Sequence, residues 1–212
     1  IWRHKHFNSP MLRWARLWFD LKRFLFNRQT PLLSKEVIDV HYDLPPNLYQ
    51  EMLGKTMAYS CAYWKDANSL DQAQRNKLDL ICRKLELQPS DRVLDLGCGF
   101  GSFSRFAAEN YGCSIVAVTL STNQATYARE FCKDLPVEIH VTDYRNVNQY
   151  SDGRKFDKVA SIAMFEAIGR KNFRSHMELI DKAGGEQVGL LSLCFGAVLR
   201  HRRQRRLCVF RK

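Results

Sequence analysis

From residue 91 onward the apolar positions fall into short runs separated by amphipathic stretches. The runs predict strands over 92–96, 114–119, 136–141, 157–162 and 188–194. Between them the pattern predicts helices over 102–111, 121–132 and 165–183, with a short one over 146–150. Continuous apolar runs such as Val93, Leu94 and Leu96 suit strands covered on both faces. Alternating strands and helices predict an α/β fold, a doubly wound parallel sheet sandwiched by helices. Right-handed crossovers then put ligands at the carboxyl ends of the strands. Upstream, Ser69 to Leu87 reads as a helix. Ser69 and Gln72 suit a capping box, and Leu70, Ala73, Leu78, Ile81, Cys82 and Leu85 share one face. Asn47 to Gly54 suits a shorter helix. The segment from Met57 to Trp64 mixes aromatic and small residues and suits either core or a pocket wall. Residues 30–46 form a proline-punctuated connector. From Met11 to Asn27 cations oppose Met11, Trp14, Leu17, Trp18, Leu21, Phe24 and Leu25. This amphipathic helix either packs on the main domain or docks on anionic lipid.

The first strand runs straight into Gly97-Cys98-Gly99-Phe100-Gly101. Glycines permit a tight turn and close ligand approach, and the helix that follows presents unpaired N–H groups. The G-x-G-x-G spacing is one residue shorter than the dinucleotide fingerprint. With Asp95 two residues ahead of the first glycine, it resembles the first motif of the S-adenosylmethionine (SAM) dependent methyltransferases.

Composition changes this picture modestly. A chain of 212 residues can bury one substantial core with a small appendage. The net charge is +11, and Arg200, Arg202, Arg203, Arg205, Arg206, Arg211 and Lys212 supply seven of the positive charges. The seven cysteines include no C-x-x-C pair, which argues for reduced thiols and against a metal site. No run approaches the roughly 18 apolar residues of a membrane span, and no secretory pattern opens the chain. A cytoplasmic location is the expectation. Ile1 is not a start methionine, which fits a piece of a longer protein.

Further segments sharpen the resemblance. His41-Tyr42-Asp43-Leu44, Tyr59-Ser60-Cys61-Ala62-Tyr63-Trp64, Val118-Thr119-Leu120-Ser121 with Gln124, and Met164-Phe165-Glu166 with Gly169 all carry it. Together with the glycine turn they resemble the cyclopropane-fatty-acyl-phospholipid synthases and their mycolic acid relatives, over residues 35 to 182. The resemblance implies a class I SAM-methyltransferase, Rossmann-like fold with N-terminal helices. Residues 1–34 would form a basic amphipathic segment, 35–90 a helical cap and lid, 91–196 the SAM-binding core, and 197–212 a basic tail. It implies that Tyr59 and Ser60 close over the methionine part of SAM, and that Asp95, Gly97, Gly99 and Gly101 form the cofactor turn. Thr119, Leu120 and Gln124 would hold ribose and adenine, with Asp143 and Tyr144 flanking the adenine. The implied reaction adds methylene to the cis double bond of a phospholipid acyl chain. Ring closure follows loss of a proton to a bound bicarbonate. Glu166 and Cys61 resemble two bicarbonate holders, Cys61 through its backbone. Tyr63 and Trp64 are aromatics suited to cation–π stabilisation. The implied partners are phospholipid in a bilayer and an anionic membrane surface, with the enzyme peripheral to the inner face and a second copy of the chain as a candidate. Nucleic acid is not expected, because residues 200–206 interleave no aromatic among the arginines.

The resemblance weakens after Asp181. No histidine follows the fifth strand where the family places another bicarbonate holder, and a later tyrosine segment is missing. An incomplete C-terminal part leaves an exposed sheet edge and an incomplete lipid site. Two other readings stand beside the first. One is a methyltransferase of the same template acting on another lipid or small molecule. The other is a basic module that binds lipid or RNA without catalysis.

Overall fold

The computed structural model describes Trp14, Trp18 and residues 46–165, 167–184 and 190–192. The remainder of the 11–27 helix, the connector up to residue 45, Glu166 and the basic tail lie outside the described residues. The elements are α1 (Pro46–Leu53), α2 (Leu70–Lys84), β1 (Arg92–Leu96), α3 (Ser102–Tyr111), β2 (Ser114–Thr119), α4 (Thr122–Phe131), β3 (Val137–Val141), β4 (Lys158–Ile162), α5 (Phe173–Ala183) and β5 (Leu190–Ser192). Short 3-10 turns occupy Gly54–Thr56, Tyr144–Tyr150 and Arg170–Asn172.

The described strands form one parallel sheet in the order β3-β2-β1-β4-β5. Chain order reverses between β1 and β4, and such a reversal opens a crevice at the carboxyl ends of the strands. The period-two alternation of side chains sends successive strand residues to opposite faces, and an apolar cluster covers each face. Val93, Ile115, Ala117, Ile139 and Ala160 pack on one face with Leu78, Ile81, Phe103, Ala107 and Ala128 from α2, α3 and α4. Leu94, Leu96, Val116, Val118 and Val159 pack on the other with Val147, Phe156, Phe165 and Ile180. The doubly wound α/β arrangement expected from the sequence is thus observed.

Helix boundaries differ from the expectation in two places. The helix predicted to run to Leu87 stops at Lys84. Glu86 turns left-handed (φ 52°), its N–H donates to Arg83 O, and the Leu87 N–H donates to Cys82 O. That pair of bonds is a Schellman stop, closed here by a glutamate instead of glycine. The helix predicted from residue 165 starts only at Phe173. Ala163 (φ 54°) and Gly169 (φ 78°) break the helical path, and Ile162, Ala163, Met164, Ala167 and Ile168 wall a cavity instead.

Ser69 caps α2 as expected, its side chain accepting from the Gln72 N–H at 3.2 Å. The reciprocal bond is shifted by one residue, since Gln72 Oε1 accepts from the Asn68 N–H. Ser121 caps α4 in the same way, accepting from the Gln124 N–H.

Gly101 is the residue that lets α3 and α4 approach. Its φ is +83°, and a Cβ there would stand 3.1 Å from both Ala128 Cβ and Cys132 Sγ. Gly101→Ala should therefore destabilise the fold by about 2 kcal/mol, combining left-handed strain with overpacking. Urea denaturation monitored by circular dichroism checks this, and a midpoint unchanged from the parent chain would refute it.

Candidate functional site

One cavity of about 310 Å³ opens at the carboxyl ends of β1, β2 and β4. Its floor is the β1–α3 turn. The N–H groups of Gly97 and Cys98 both donate to Val118 O at 3.0 Å, so the turn is tied to the end of β2. Gly97 (φ 75°) sits under Met164, whose Sδ would lie 2.8 Å from a Cβ at that position. Gly99 (φ 56°) has nothing within 4 Å of the place a Cβ would occupy. Two adjacent glycines of the motif thus serve different ends, Gly97 making room for a neighbouring side chain and Gly99 for open cavity.

Below the turn, Asp95 is buried and accepts a hydrogen bond from Ser104 Oγ at 2.6 Å. Burial pushes its carboxyl up to about 7, while the Ser104 bond acts in the opposite direction. At the end of β2, Thr119 Oγ1 donates to Gln124 Oε1 at 3.0 Å and accepts from the Ser121 N–H. Gln124 is buried, and this bond leaves its amide N–H₂ as the donor of that side chain. After β3, Asp143 accepts from the backbone N–H of Arg145 at 2.9 Å and from its guanidinium at 3.1 Å. Tyr144 is buried, with the Arg145 guanidinium over its ring at 5.0 Å and the His176 ring edge-on at 5.0 Å. His176 is itself buried, 3.5 Å from Ser161 Oγ, and desolvation lowers its pKa to about 4.

The remaining wall comes from a strap that precedes α2. Met57 to Ser60 line the cavity. Helix α2 clamps this strap from the side. Gln74 Nε2 donates to Ala58 O and Ser60 O at 3.2 and 2.9 Å, and Lys77 Nζ donates to Ser60 Oγ at 2.8 Å. Tyr59 leans edge-on against Tyr49, which packs on Phe100 of the glycine turn.

Ten of the residues singled out in the sequence therefore surround one cavity: Tyr59, Ser60, Asp95, Gly97, Gly99, Thr119, Leu120, Gln124, Asp143 and Tyr144. Gly101 does not line it and serves helix packing. Cys61 is exposed and off the wall, Trp64 is half-exposed, and Glu166 lies outside the described residues. The aromatic wall expected through Trp64 thus ends at Ser60. The Tyr63 N–H donates to Ala73 O, which holds the chain against α2 beyond that point. Gln74, Lys77, Arg145 and Met164 were missed. For Gln74 and Lys77 a signal existed: both are polar residues set among Ala73, Leu78 and Ile81 on the apolar side of α2.

The buried titratable groups predict a pH signature. Asp95 is raised in the fold, so its contribution is full below the unfolded value of 3.8 and is lost as pH rises toward 7. His176 is lowered, so its contribution is present above 6.5 and is lost as pH falls toward 4. The two oppose each other between pH 4 and 6.5. Asp95→Asn should make thermal stability climb more steeply with pH across that window. Melting temperatures measured at several pH values check this, and slopes parallel to the parent chain would refute it.

Comparison with known proteins extends the picture. The family model "Mycolic acid cyclopropane synthetase" matches residues 30–206, past the point where the sequence reading ended the resemblance. Cyclopropane-fatty-acyl-phospholipid synthase of Escherichia coli (strain K12) is 44% identical over 158 residues, covering 74% of this chain and 40% of that protein. A probable fatty acid methyltransferase of Pseudomonas putida is 40% identical over 171 residues, covering 78% of this chain and 42% of that protein. The chain thus spans well under half the length of these curated relatives. Among solved structures, mycolic acid cyclopropane synthase CmaA1 complexed with SAH and CTAB superposes with a TM-score of 0.65 at 29% identity, covering 71% of this chain and 53% of that one. With a family model spanning most of its length and a cavity assembled from the residues that carried the resemblance, the chain belongs to the mycolic acid cyclopropane synthetase family.

Proposed function

We propose that this protein is a SAM-dependent enzyme that transfers methylene to the cis double bond of unsaturated phospholipid acyl chains. The observation that carries the reading is the convergence of ten sequence-selected residues on one cavity at the topological switch point. The names of its relatives, a cyclopropane synthase and a probable fatty acid methyltransferase, supply the lipid chemistry.

SAM fits the residues present. The space beside Gly99 would admit the cofactor backbone, and the amide of Gln124 would hold the ribose hydroxyls. Asp143 and Tyr144 would flank the adenine, while Tyr59 and Ser60 close over the amino-acid end. When bound, SAM supplies an electrophilic methyl group on a sulfonium. The chain's own residues position the reactants and exclude water. Met57, Phe100, Phe103 and Ile168 give the cavity apolar walls suited to an acyl chain. In such a dry setting, fixed dipoles and carboxylates act strongly on developing charge. Bicarbonate fits less well. Cys61 stands off the cavity wall, so no step is assigned to that ion.

The substrate lies in a bilayer, so the enzyme docks on one. No helix among the described residues is long and apolar enough to cross a membrane. Trp14 and Trp18 are helical, one turn apart, and 74% and 59% exposed. Leu48 and Met52 share a face of α1 and are half-exposed. Aromatic and apolar side chains of this kind suit an interfacial contact with anionic lipid, supported by nearby cations. The peripheral, cytoplasmic-face location follows from this reading.

Methyl addition without ring closure is the second reading, favoured by the position of Cys61 away from the cavity. Incubation with SAM and vesicles of unsaturated phospholipid distinguishes the two. The expected result is a gain of one CH₂ per acyl chain with loss of the vinylic proton signals and appearance of cyclopropyl ones. Retained vinylic or new methylene signals would move the assignment to methyl addition, and no mass gain would refute both. Gly99→Ala should cost about 1–2 kcal/mol of stability, the left-handed strain alone, because its Cβ meets open space. It should nevertheless weaken binding of SAH about tenfold, equivalent to about 1.4 kcal/mol. Calorimetric titration checks this, and unchanged affinity would remove the glycine turn from the cofactor site.

A further inference from the structure

A second cavity of about 220 Å³ lies beside the first. The turn Gly54–Thr56, α2, α3 and the end of α4 surround it. Leu78 and Ser102 line both cavities, so the two stand back to back. Its wall carries three cations, Lys55, Arg75 and Arg105, against one carboxylate, Glu109. Arg105 is committed. It pairs with Glu109 at 2.7 Å, donates to Phe131 O at 2.8 Å, and lies over the Phe131 ring at 4.4 Å. Lys55 and Arg75 are exposed, and their side chains make no ion pair or hydrogen bond among the described residues. Two acids flank Arg75 by one turn on α2, and neither pairs with it. Asp79 takes Arg83 at 2.7 Å and the Tyr111 hydroxyl at 2.8 Å, and Asp71 stands beside Gly54, off the cavity wall.

A hydroxyl on the same wall points the same way. Thr56 is 9% exposed, and its Oγ1 has no hydrogen-bond partner. A buried hydroxyl left unpaired is costly, and valine would fill nearly the same space without that cost. An anion in the cavity supplies the acceptor that Thr56 lacks and the counter-charge that Lys55 and Arg75 lack. A phosphomonoester matches best, because it brings nearly two negative charges and several acceptor oxygens. A guanidinium forks onto two such oxygens, and an ammonium meets them as a point charge. Leu78, Phe106 and Phe131 add apolar surface beside these groups, where hydrocarbon attached to the phosphate would lie.

We propose that this second cavity is a phosphate-binding site formed by Lys55, Arg75 and the Thr56 hydroxyl. The site stands on its own residues, whatever ligand fills the neighbouring cavity. Lys55 and Thr56 lead directly into the strap that starts at Met57, so the anion sits where the 3-10 turn, the strap and α2 meet. The phosphate comes either from a lipid headgroup or from free phosphate, and the apolar surface beside it separates the two.

The test titrates the full chain by calorimetry with two probes, inorganic phosphate and dihexanoyl phosphatidic acid below its micelle concentration. Saturable binding is expected. Arg75→Gln and Lys55→Met should each weaken it about tenfold. Lys155→Gln removes an exposed cation away from the cavity and should leave affinity within about twofold of the parent value. Thr56→Val should weaken binding about fivefold without lowering the unliganded melting temperature, because it removes a hydroxyl that the empty cavity leaves unpaired. Tighter binding of the lipid probe than of inorganic phosphate identifies a lipid headgroup as the source, and equal or weaker binding identifies free phosphate. Lys55 and Arg75 are exposed, so their variants carry the test should Thr56→Val fail to fold. No saturable binding of either probe would overturn the proposal. So would losses in Arg75→Gln and Lys55→Met no larger than in Lys155→Gln, or unchanged affinity in folded Thr56→Val.

Discussion

The site depends on a pair of backbone hydrogen bonds. Gly97 and Cys98 both donate to the Val118 carbonyl, and this joins the exit of β1 to the exit of β2. Without that tie the turn before α3 would be free to lift, and the floor of the cavity would have no fixed height. The bonds require Gly97 to turn left-handed, a conformation that costs other residues about 1–2 kcal/mol. Everything nearby is fitted to the resulting path. Met164 occupies the space a Gly97 side chain would need, and Ser104 on α3 reaches back to Asp95 at the end of β1. A buried carboxylate, a strained turn and a helix start are thus one unit, in which each part fixes the position of the next.

Much of this was legible in the sequence for a definite reason. The strands are covered on both faces, so Val93 and Leu94 both had to be apolar, and the run could be recognised without knowing its neighbours. The glycine turn was legible because few residues other than glycine accept the required backbone angles. What the sequence did not separate were the reasons for the three glycines. Gly97 yields to Met164, Gly99 to the cavity and Gly101 to α4, and those reasons depend on residues 27 to 67 positions away or on open space. The stop of α2 at Lys84 was hidden for a similar reason. Its Schellman turn uses Glu86, a residue type that gives no cue for the left-handed region.

The segment from Tyr59 to Trp64 shows where composition misleads. Its aromatics suggested a continuous wall, but only its beginning meets the cavity. Burial there is decided by the bond from Gln74 to the Ser60 carbonyl and the bond from the Tyr63 N–H to the Ala73 carbonyl, which fix the backbone of the strap, and not by the size of the side chains it carries. Trp64 is consequently half-exposed although it is among the largest apolar residues in the chain. The polar residues Gln74 and Lys77, by contrast, are nearly inaccessible. On a helix facing a site, departures from the amphipathic pattern are therefore more informative than agreement with it.

That inversion has a structural consequence. Helix α2 belongs at once to the core and to the site. Leu78, Ile81, Cys82 and Leu85 pack against the sheet face formed by Val93 and Ile115, while Gln74 and Lys77 on the adjoining turn hold the strap. The rise of a helix is fixed at about 1.5 Å per residue, so a shift of α2 in its core seat moves Nζ of Lys77 with it. Close packing makes such seats nearly discrete, since cores resist continuous deformation. The height of the cavity roof over its floor is thus set by apolar contacts between α2 and the sheet, remote from any polar group that meets a ligand. The floor is set by the Val118 carbonyl on that same sheet. Roof and floor share one reference surface, which is how two segments separated by the whole of α2 and β1 keep a constant gap between them.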